Sequence, residues 1–249
     1  MSTSAHIILQ LKQQLITVST PEKAESVRRY FPHGIHCLGA NAVDIKNIIK
    51  QFHLDNSQVS PEQVLVISED LLQQATYSEE VMVAYGLINK FVNKHYDDNL
   101  LLRFEFWLEH YANNWALVDD LCMKTLFKFL LARPHLIEHT QKWAYSDVSW
   151  CRRGSNVAWV KFIKRPMGKS VYFLDKNLVF KSCDLLITDA DEFVQKSVGW
   201  LLKVTAIHDP DDVVKYLQLN YQNMQKSTIR YALEKIDKKL RLLLLKDFR

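Results

Sequence analysis

The sequence predicts an all-α protein, and three features of the chain support that prediction. Glycine and proline are scarce, with six of each in 249 residues, whereas sandwiches and barrels need many turns. Helix-start signals recur along the chain. Apolar residues recur at helical spacing; in the segment 5–18 the predicted apolar face consists of Ile8, Leu9, Leu11 and Leu15. With 48% hydrophobic residues, such helices have enough apolar surface to build a sizeable core.

Short polar and proline signals mark where the predicted helices begin and end. Thr20 precedes Pro21 and Ser60 precedes Pro61, so each hydroxyl residue is predicted to be an N-cap and each proline the first helical residue. Gln63 stands where a capping box requires it. Further helix starts are predicted at Ser78, which two glutamates follow, and at Asp209-Pro210, and helix ends at 132–134 and 164–166.

The spacing of these helices predicts their arrangement. The pattern gives roughly twelve to fourteen short helices and no convincing strand, with 169–181 the least certain stretch. The helices come in pairs at intervals of about 35–40 residues, which is typical of a HEAT-like helical-repeat solenoid with a concave face. An irregular helical bundle is the alternative. Since no break in composition divides the chain, we expect one domain over 1–249.

Charge and cysteine content narrow the classes of function. The net charge is +4, which is small, and residues 224–249 hold eight Lys/Arg against three Asp/Glu, an excess that can contact nucleic acid. No two of the four cysteines form a CxxC pair, which indicates free, mostly buried thiols in a reducing compartment. The cluster HGIHC, 33–37, lacks a second ligand pair, and the chain has no phosphate-binding glycine loop, so we predict no metal and no cofactor.

The N-terminal segment carries no targeting signal that the sequence reveals. It lacks a basic region and a cleavage site, and no apolar run reaches the roughly 18 residues that a membrane span needs. We therefore expect a cytoplasmic protein without a membrane partner.

The stretch NNWALVDDLC, 113–122, places chemistry on a predicted helix. Trp115 and Asp119 are four residues apart, so they share a face with Val118 and Cys122. Asp120 is rotated by about 100° and is expected to face solvent or a neighbouring turn. A carboxylate beside an indole is partly desolvated, so Asp119 needs either an arginine partner across a helix interface or a function.

Two later stretches carry related signals. In SWCRRGSNVAW, 149–159, Arg153 lies one helical turn after Trp150; it is interpreted as a structural ion pair or solvated residue, or else as the partner of Asp119 or a phosphate clamp. In KSVGWLLK, 196–203, Gly199 costs a helix about 1 kcal/mol against alanine, and it lets another element approach closely. Trp200 follows, and a core tryptophan is its simplest interpretation.

Taken in order, these pieces resemble the AlkD-type DNA alkylation repair proteins, which are helical-repeat DNA glycosylases. The resemblance is carried by segments 21–31, 38–52, 113–122, 149–153 and 195–217. It implies that Asp119 is the catalytic carboxylate, that Trp115 and Trp200 contact the lesion, and that Arg153 is the active-site arginine. The implied DNA-binding residues are Tyr30, Arg152, Lys161 and Lys203.

The resemblance also implies an activity. The protein would be a monofunctional, monomeric glycosylase that excises cationic N3- and N7-alkylated purines, such as 3-methyladenine and 7-methylguanine, from double-stranded DNA without base flipping. The chain departs from the family at Gly154 and Ser155, at Lys203, and at Asn113 and Asn114 before the tryptophan. The departures at Gly154 and Ser155 keep an alternative open: a non-catalytic HEAT-like module that binds unusual or branched DNA or a protein partner.

Overall fold

The computed structural model describes residues 3–248, and contacts within it divide the chain into two compact units that meet in sequence between Ala132 and Arg133. The first unit contains α1 (Thr3–Val18), α2 (Pro21–Arg28), α3 (Ala42–Asp55), α4 (Pro61–Gln73), α5 (Ser78–Leu87), α6 (Leu100–His110), α7 (Trp115–Asp120) and α8 (Phe127–Ala132). The second contains α9 (Ser149–Val157), α10 (Lys176–Leu186), α11 (Glu192–Thr205), α12 (Pro210–Asn220), α13 (Lys226–Ala232) and α14 (Lys238–Asp247), with β1 (Lys164–Met167) and β2 (Ser170–Phe173). This content confirms the all-α class.

The predicted helix starts are confirmed by their hydrogen bonds and bounds. The Thr20 side chain accepts from the Lys23 amide, and Ser60 and Gln63 form the expected capping box at the start of α4. Helices also begin at Ser78 and after Asp209. Such signals are readable from sequence because a cap and the amides it satisfies lie within three residues of each other.

Two local predictions are wrong. Residues 164–166 do not end a helix; they belong to an antiparallel hairpin in which Lys164 pairs with Phe173 and Met167 with Ser170. Gly168, at φ 61°, makes the tight turn between the strands. On α1, Leu9 is 58% exposed, because helix α1 rotates Ile8, Leu11 and Leu15 into the core and leaves Leu9 to solvent.

Helix α5 is the centre of the first unit. It packs against α3, α4 and α7, and even its glutamates are buried. The Glu79 carboxylate accepts from the amides of Leu38 and Gly39, at 3.0 and 2.8 Å. Gly39, with φ 99°, lies so close to the Thr20 carbonyl that a Cβ there would be 2.4 Å from its oxygen. These contacts fix the loop between α2 and α3.

In the second unit, α11 packs between α9 and α13. A buried polar network joins α9 to its neighbours: the Asn156 amide donates to Ser197 Oγ at 3.1 Å, and Ser182 Oγ donates to Asn156 Oδ1 at 2.9 Å. Each of these side chains is fully buried, so the network fixes the register of α9 against α10 and α11.

Candidate functional site

Asn114 sets the position of the helix that carries Trp115 and Asp119. Its side-chain oxygen accepts from the amides of Ala116 and Leu117, at 3.0 and 3.1 Å, and its amide donates to Ser78 Oγ at 3.2 Å. Asn114 is only 6% exposed. The residue that departs from the family pattern in sequence is therefore the N-cap of α7, and it ties this helix to α5.

Trp115 and Asp119 share a face, as the spacing predicts. Both side chains are half-buried, while Val118 and Cys122, which border them, are buried in the core. The core residues anchor α7, so the tryptophan and the carboxylate are held at the boundary between core and surface.

An aromatic contact that the sequence did not reveal supports Trp115. The Phe31 ring stacks on the indole, with centroids 5.0 Å apart and planes 14° from parallel. Phe31 belongs to the loop that follows α2, and its neighbour Tyr30 is 71% exposed. In the sequence, Phe31 stands out only as the neighbour of the predicted site residue Tyr30. Its contact with Trp115 depends on long-range packing, so the sequence did not predict it.

Asp120 behaves differently from its neighbour. Its side chain is 10% exposed, and its carboxylate pairs with Lys124 in the next turn. Of the two expected directions, solvent or a neighbouring turn, the Asp120 side chain takes the second. Burial raises the pKa of Asp120, and the bond to Lys124 partly opposes that rise.

A π-helical turn, Leu121–Leu126, follows the two aspartates and joins α7 to α8. Wider turns of this kind are uncommon and often occur near functional sites. Here Thr125 is directed towards α5, where its hydroxyl donates to the Tyr85 carbonyl at 2.8 Å. No local sequence signal indicated this turn.

In the second unit, Arg152 is held by protein groups. Its guanidinium binds Asp189 through two nitrogens, at 2.6 and 3.2 Å, and donates to the carbonyls of Ser146 and Asp147 at 3.0 Å each. The bond to Asp189 raises the pKa of Arg152. Together these contacts support a structural role, in which the arginine joins the start of α9 to the turn before α11.

Arg153 is 5% exposed, and one of its terminal nitrogens donates to the Phe193 carbonyl at 2.7 Å. Trp150 lies against the ring of the same phenylalanine, with centroids 5.5 Å apart. Gly154 and Ser155 are buried within α9. Arg153 is therefore fixed against the first turn of α11 and is not a solvated surface residue.

The prediction that Gly199 permits a close approach is confirmed. A Cβ at this position would lie 3.0 Å from the Thr228 carbonyl oxygen and 3.2 Å from the Tyr231 side chain, both on α13. Lys203, one turn later, has its ammonium 3.8 Å from the Tyr231 ring centroid and 3.3 Å from Glu234. Lys161, in the segment after α9, is half-buried.

Tryptophan burial separates core residues from candidate site residues. Of the six tryptophans, Trp107, Trp143 and Trp159 are completely buried. Trp115, Trp150 and Trp200 are only half-buried. The core interpretation of Trp200 is therefore wrong, because part of its indole remains accessible.

The predicted site residues are distributed over both units. Tyr30, Trp115 and Asp119 belong to the first; Arg152, Arg153, Lys161, Trp200 and Lys203 belong to the second.

No helix within residues 3–248 combines the length and apolar composition that a membrane crossing requires.

The helical fold is that of the AlkD-like class of helical proteins. Residues 11–236 match the model of the DNA alkylation repair enzyme family, and the chain belongs to that family.

Solved structures share this fold at low sequence identity. The predicted DNA alkylation repair enzyme from Enterococcus faecalis is 18% identical, with a TM-score of 0.74 over 88% of this chain and 97% of that one. AlkD2 from Streptococcus mutans is 19% identical, with a TM-score of 0.55 over 87% of this chain and 98% of that one. No curated protein is significantly similar to this chain in sequence.

Proposed function

We propose that the protein is a monofunctional DNA glycosylase that releases cationic N3- and N7-alkylated purines, including 3-methyladenine and 7-methylguanine, from double-stranded DNA. The observation that carries this proposal is the placement of Trp115 and Asp119 on one face of α7, a helix held by the Asn114 cap and by the stacking of Phe31 on Trp115. The family match over 11–236 supports a DNA alkylation repair role for the chain as one domain.

The substrate's own charge determines what the site must supply. An N3- or N7-alkylated purine is a cation and leaves as a neutral base, so little acid catalysis is needed. The developing positive charge on the sugar instead needs a nearby anion, and the attacking water needs a proton acceptor. In this proposal the Asp119 carboxylate serves both purposes.

In this proposal Trp115 and Trp200 bind the cationic substrate. An indole face attracts a cation by about 0.5–2 kcal/mol, depending on desolvation. Trp115 already stacks on Phe31 with one part of its surface and is half-buried, so it can present the rest to the nucleotide at little cost in ordering. Trp200 offers a second accessible indole. In our proposal the lesion remains stacked in the duplex while these groups act.

The basic residues have separate roles in the proposal. Lys161 and Lys203 contact the DNA backbone, and exposed Tyr30 lies against the strand. Arg153, whose guanidinium donates to the Phe193 carbonyl, is proposed as the active-site arginine that the resemblance implies. Arg152 was predicted to bind DNA; because Asp189 and two carbonyls engage its guanidinium, we propose that it positions α9 instead.

The protein is further proposed to act as a monomer in the cytoplasm. The four cysteines are all free and buried, which suits a reducing compartment. No lysine stands at the position of the catalytic carboxylate to form a covalent intermediate with the sugar, which supports monofunctional base release.

The decisive experiment measures base release. Purified wild-type protein, Asp119→Asn and the control Asp55→Asn are incubated with N-methylated duplex DNA, and free 7-methylguanine and 3-methyladenine are quantified. We expect Asp119→Asn to lose about a hundredfold or more in rate, as when a transition-state contact is removed, and to bind DNA normally. Asp55, exposed on α3 and bonded to Gln51, should tolerate the change.

Two outcomes would contradict the proposal. Wild-type base release by Asp119→Asn would remove the carboxylate from the mechanism. DNA binding without any base release by the wild type would favour the non-catalytic module. The departures at Gly154 and Ser155 give that alternative limited support, because both residues are buried inside α9 and the Ser155 hydroxyl is bonded to the Arg152 carbonyl at 2.7 Å.

A further inference from the structure

A cavity of about 530 Å³ opens in the first unit between α3, α5 and the helix that contains the π-helical turn. None of the predicted site residues lines it. Its volume lies within the roughly 300–1,000 Å³ of small-molecule sites, which combine an apolar lining with a few polar groups.

The floor of this cavity is apolar. Ile45 and Ile49 from α3 and Met82 from α5 form it, together with the backbone at Gly86. A Cβ at position 86 would lie 2.3 Å from Ile49 Cδ1, so the glycine lets the isoleucine pack directly on the α5 backbone. The result is an apolar surface that can contact the face of a ring.

The rim of the cavity is basic. It is formed by Lys46, Lys90, Lys124 and Lys128, all of which are exposed. Among the lining residues the only carboxylate is that of Asp120, which already pairs with Lys124. The lining therefore has a formal excess of three positive charges around an apolar floor.

The remaining polar lining adds no opposing charge. His53 is half-buried, and burial lowers the pKa of its imidazole, with a further contribution from Lys90, so the ring is neutral at pH 7. Thr125 is held by the Tyr85 carbonyl. A ligand for this cavity needs negative charge at one end to meet the lysines and an apolar, flat part to cover the floor.

We propose that this cavity is a binding site for a nucleoside phosphate, with the base or sugar on the Ile49–Met82 floor and the phosphates among the lysines. Lysine ammonium groups bind phosphate as compact point charges. The nucleoside phosphate could be a free nucleotide or the unpaired terminal nucleotide of a DNA strand. This inference goes beyond the proposed glycosylase activity and does not depend on the chemistry of Asp119.

Calorimetric titration of the purified full chain tests the site with ADP and inorganic pyrophosphate as probes. We expect ADP to bind at least tenfold more tightly than pyrophosphate, because only ADP uses the apolar floor. The double variant Lys90→Glu/Lys128→Glu should lose at least tenfold in ADP affinity. Lys94→Glu, which makes the same charge change at an exposed lysine outside the cavity, should stay within twofold.

A second variant tests the floor. Met82→Trp fills the cavity from a half-buried position and should weaken ADP while pyrophosphate binding persists. Thermal melting establishes that each variant is folded. Equal affinity for ADP and pyrophosphate, no ADP binding, or insensitivity to the double reversal would each overturn the proposal.

Competition identifies the source of the nucleotide. If a duplex with one unpaired 3′ nucleotide displaces ADP and a blunt duplex does not, the site takes a strand end. If neither duplex displaces ADP, it takes a free nucleotide. Base release by a protein that binds no ADP would refute this site alone, whereas ADP binding without base release would refute the glycosylase alone.

Discussion

At the scale of single residues, the two adjacent aspartates of α7 lie in different environments and, in our proposal, have different roles. Asp119 is half-buried beside Trp115, where we propose that it stabilises positive charge on the sugar. Asp120 is nearly buried, pairs with Lys124 and lines the cavity beside α3 and α5. The rotation of about 100° between successive helical residues is sufficient to separate them.

Asp120→Asn should stabilise the folded protein at neutral pH. Because burial raises the pKa of Asp120 above its ordinary value of 3.8, the ionised carboxylate costs the folded state free energy that the unfolded chain does not incur. Asparagine can still accept a hydrogen bond from Lys124, which is 58% exposed and can also turn to water.

The gain in unfolding free energy of Asp120→Asn over the wild type should depend on pH. The gain should be complete above the pKa of Asp120 in the folded state and vanish once the pH falls below 3.8, where the wild-type carboxyl is protonated in both the folded and the unfolded state. Urea unfolding of both proteins at pH 7 and in acid measures it. An advantage that is constant with pH, or a loss of stability at pH 7, would contradict the assignment.

At the scale of elements, the helix from Trp115 to Ala132 depends on its cap. Asn114→Ala removes the acceptor for two backbone amides, so we expect it to lower the free energy of unfolding by about 0.5–2 kcal/mol. We also expect it to slow base release, because Trp115 and Asp119 lie in the first turn and a half of this helix. Asn114→Asp, which also caps, should restore most of both quantities. Equal defects in the two variants would show that the amide bond to Ser78 matters more than the cap.

The contact between α11 and α13 gives a second prediction for an element. Gly199→Ala gains about 1 kcal/mol of helix propensity but forces a methyl group to 3.0 Å from a carbonyl oxygen that belongs to backbone. Since overpacking costs about 1–3 kcal/mol, we expect a net loss of about 1 kcal/mol in unfolding free energy. Lys196→Ala, on the exposed face of α11, should change it by less than about 0.5 kcal/mol. If Gly199→Ala were more stable than the wild type, α13 would have to move away to make room for the added methyl group.

At the scale of the whole molecule, the modest charge of +4 requires DNA affinity to come from local groups of basic residues. Binding to unmodified duplex should weaken with salt; if about four phosphates are contacted, the affinity should fall about a hundredfold between 50 and 200 mM. Methylated duplex should give the same slope, because backbone contacts do not depend on the lesion. Fluorescence anisotropy across a salt series measures both slopes, and a salt-independent affinity would be inconsistent with backbone binding.

The sequence alone determined the features that depend on neighbours within about one helical turn. The caps at Thr20 and Ser60, the shared face of Trp115 and Asp119, and the close approach at Gly199 were all predicted correctly. Each depends on helical periodicity or on a bond spanning three residues, so the chain encodes it locally.

The hairpin at 164–173 shows the limit of that approach. Its four-residue strands are too short for a reliable alternating pattern, and proline at position 166 suggested a helix end. The exposure of Leu9 has a similar origin, because one residue's rotation on α1 is decided by the helices packed against it.

Only the tertiary structure decided which distant groups meet. Phe31 reaches Trp115 across 84 positions of sequence, and Asp189 reaches Arg152 across 37. Burial likewise is a sum over neighbours from several helices, so the sequence could place Asp120 on its helix but not beside a cavity formed with α3 and α5. Local bonding thus fixed the helices and their faces, and long-range packing fixed the partners, because contact between remote residues depends on the positions of whole helices.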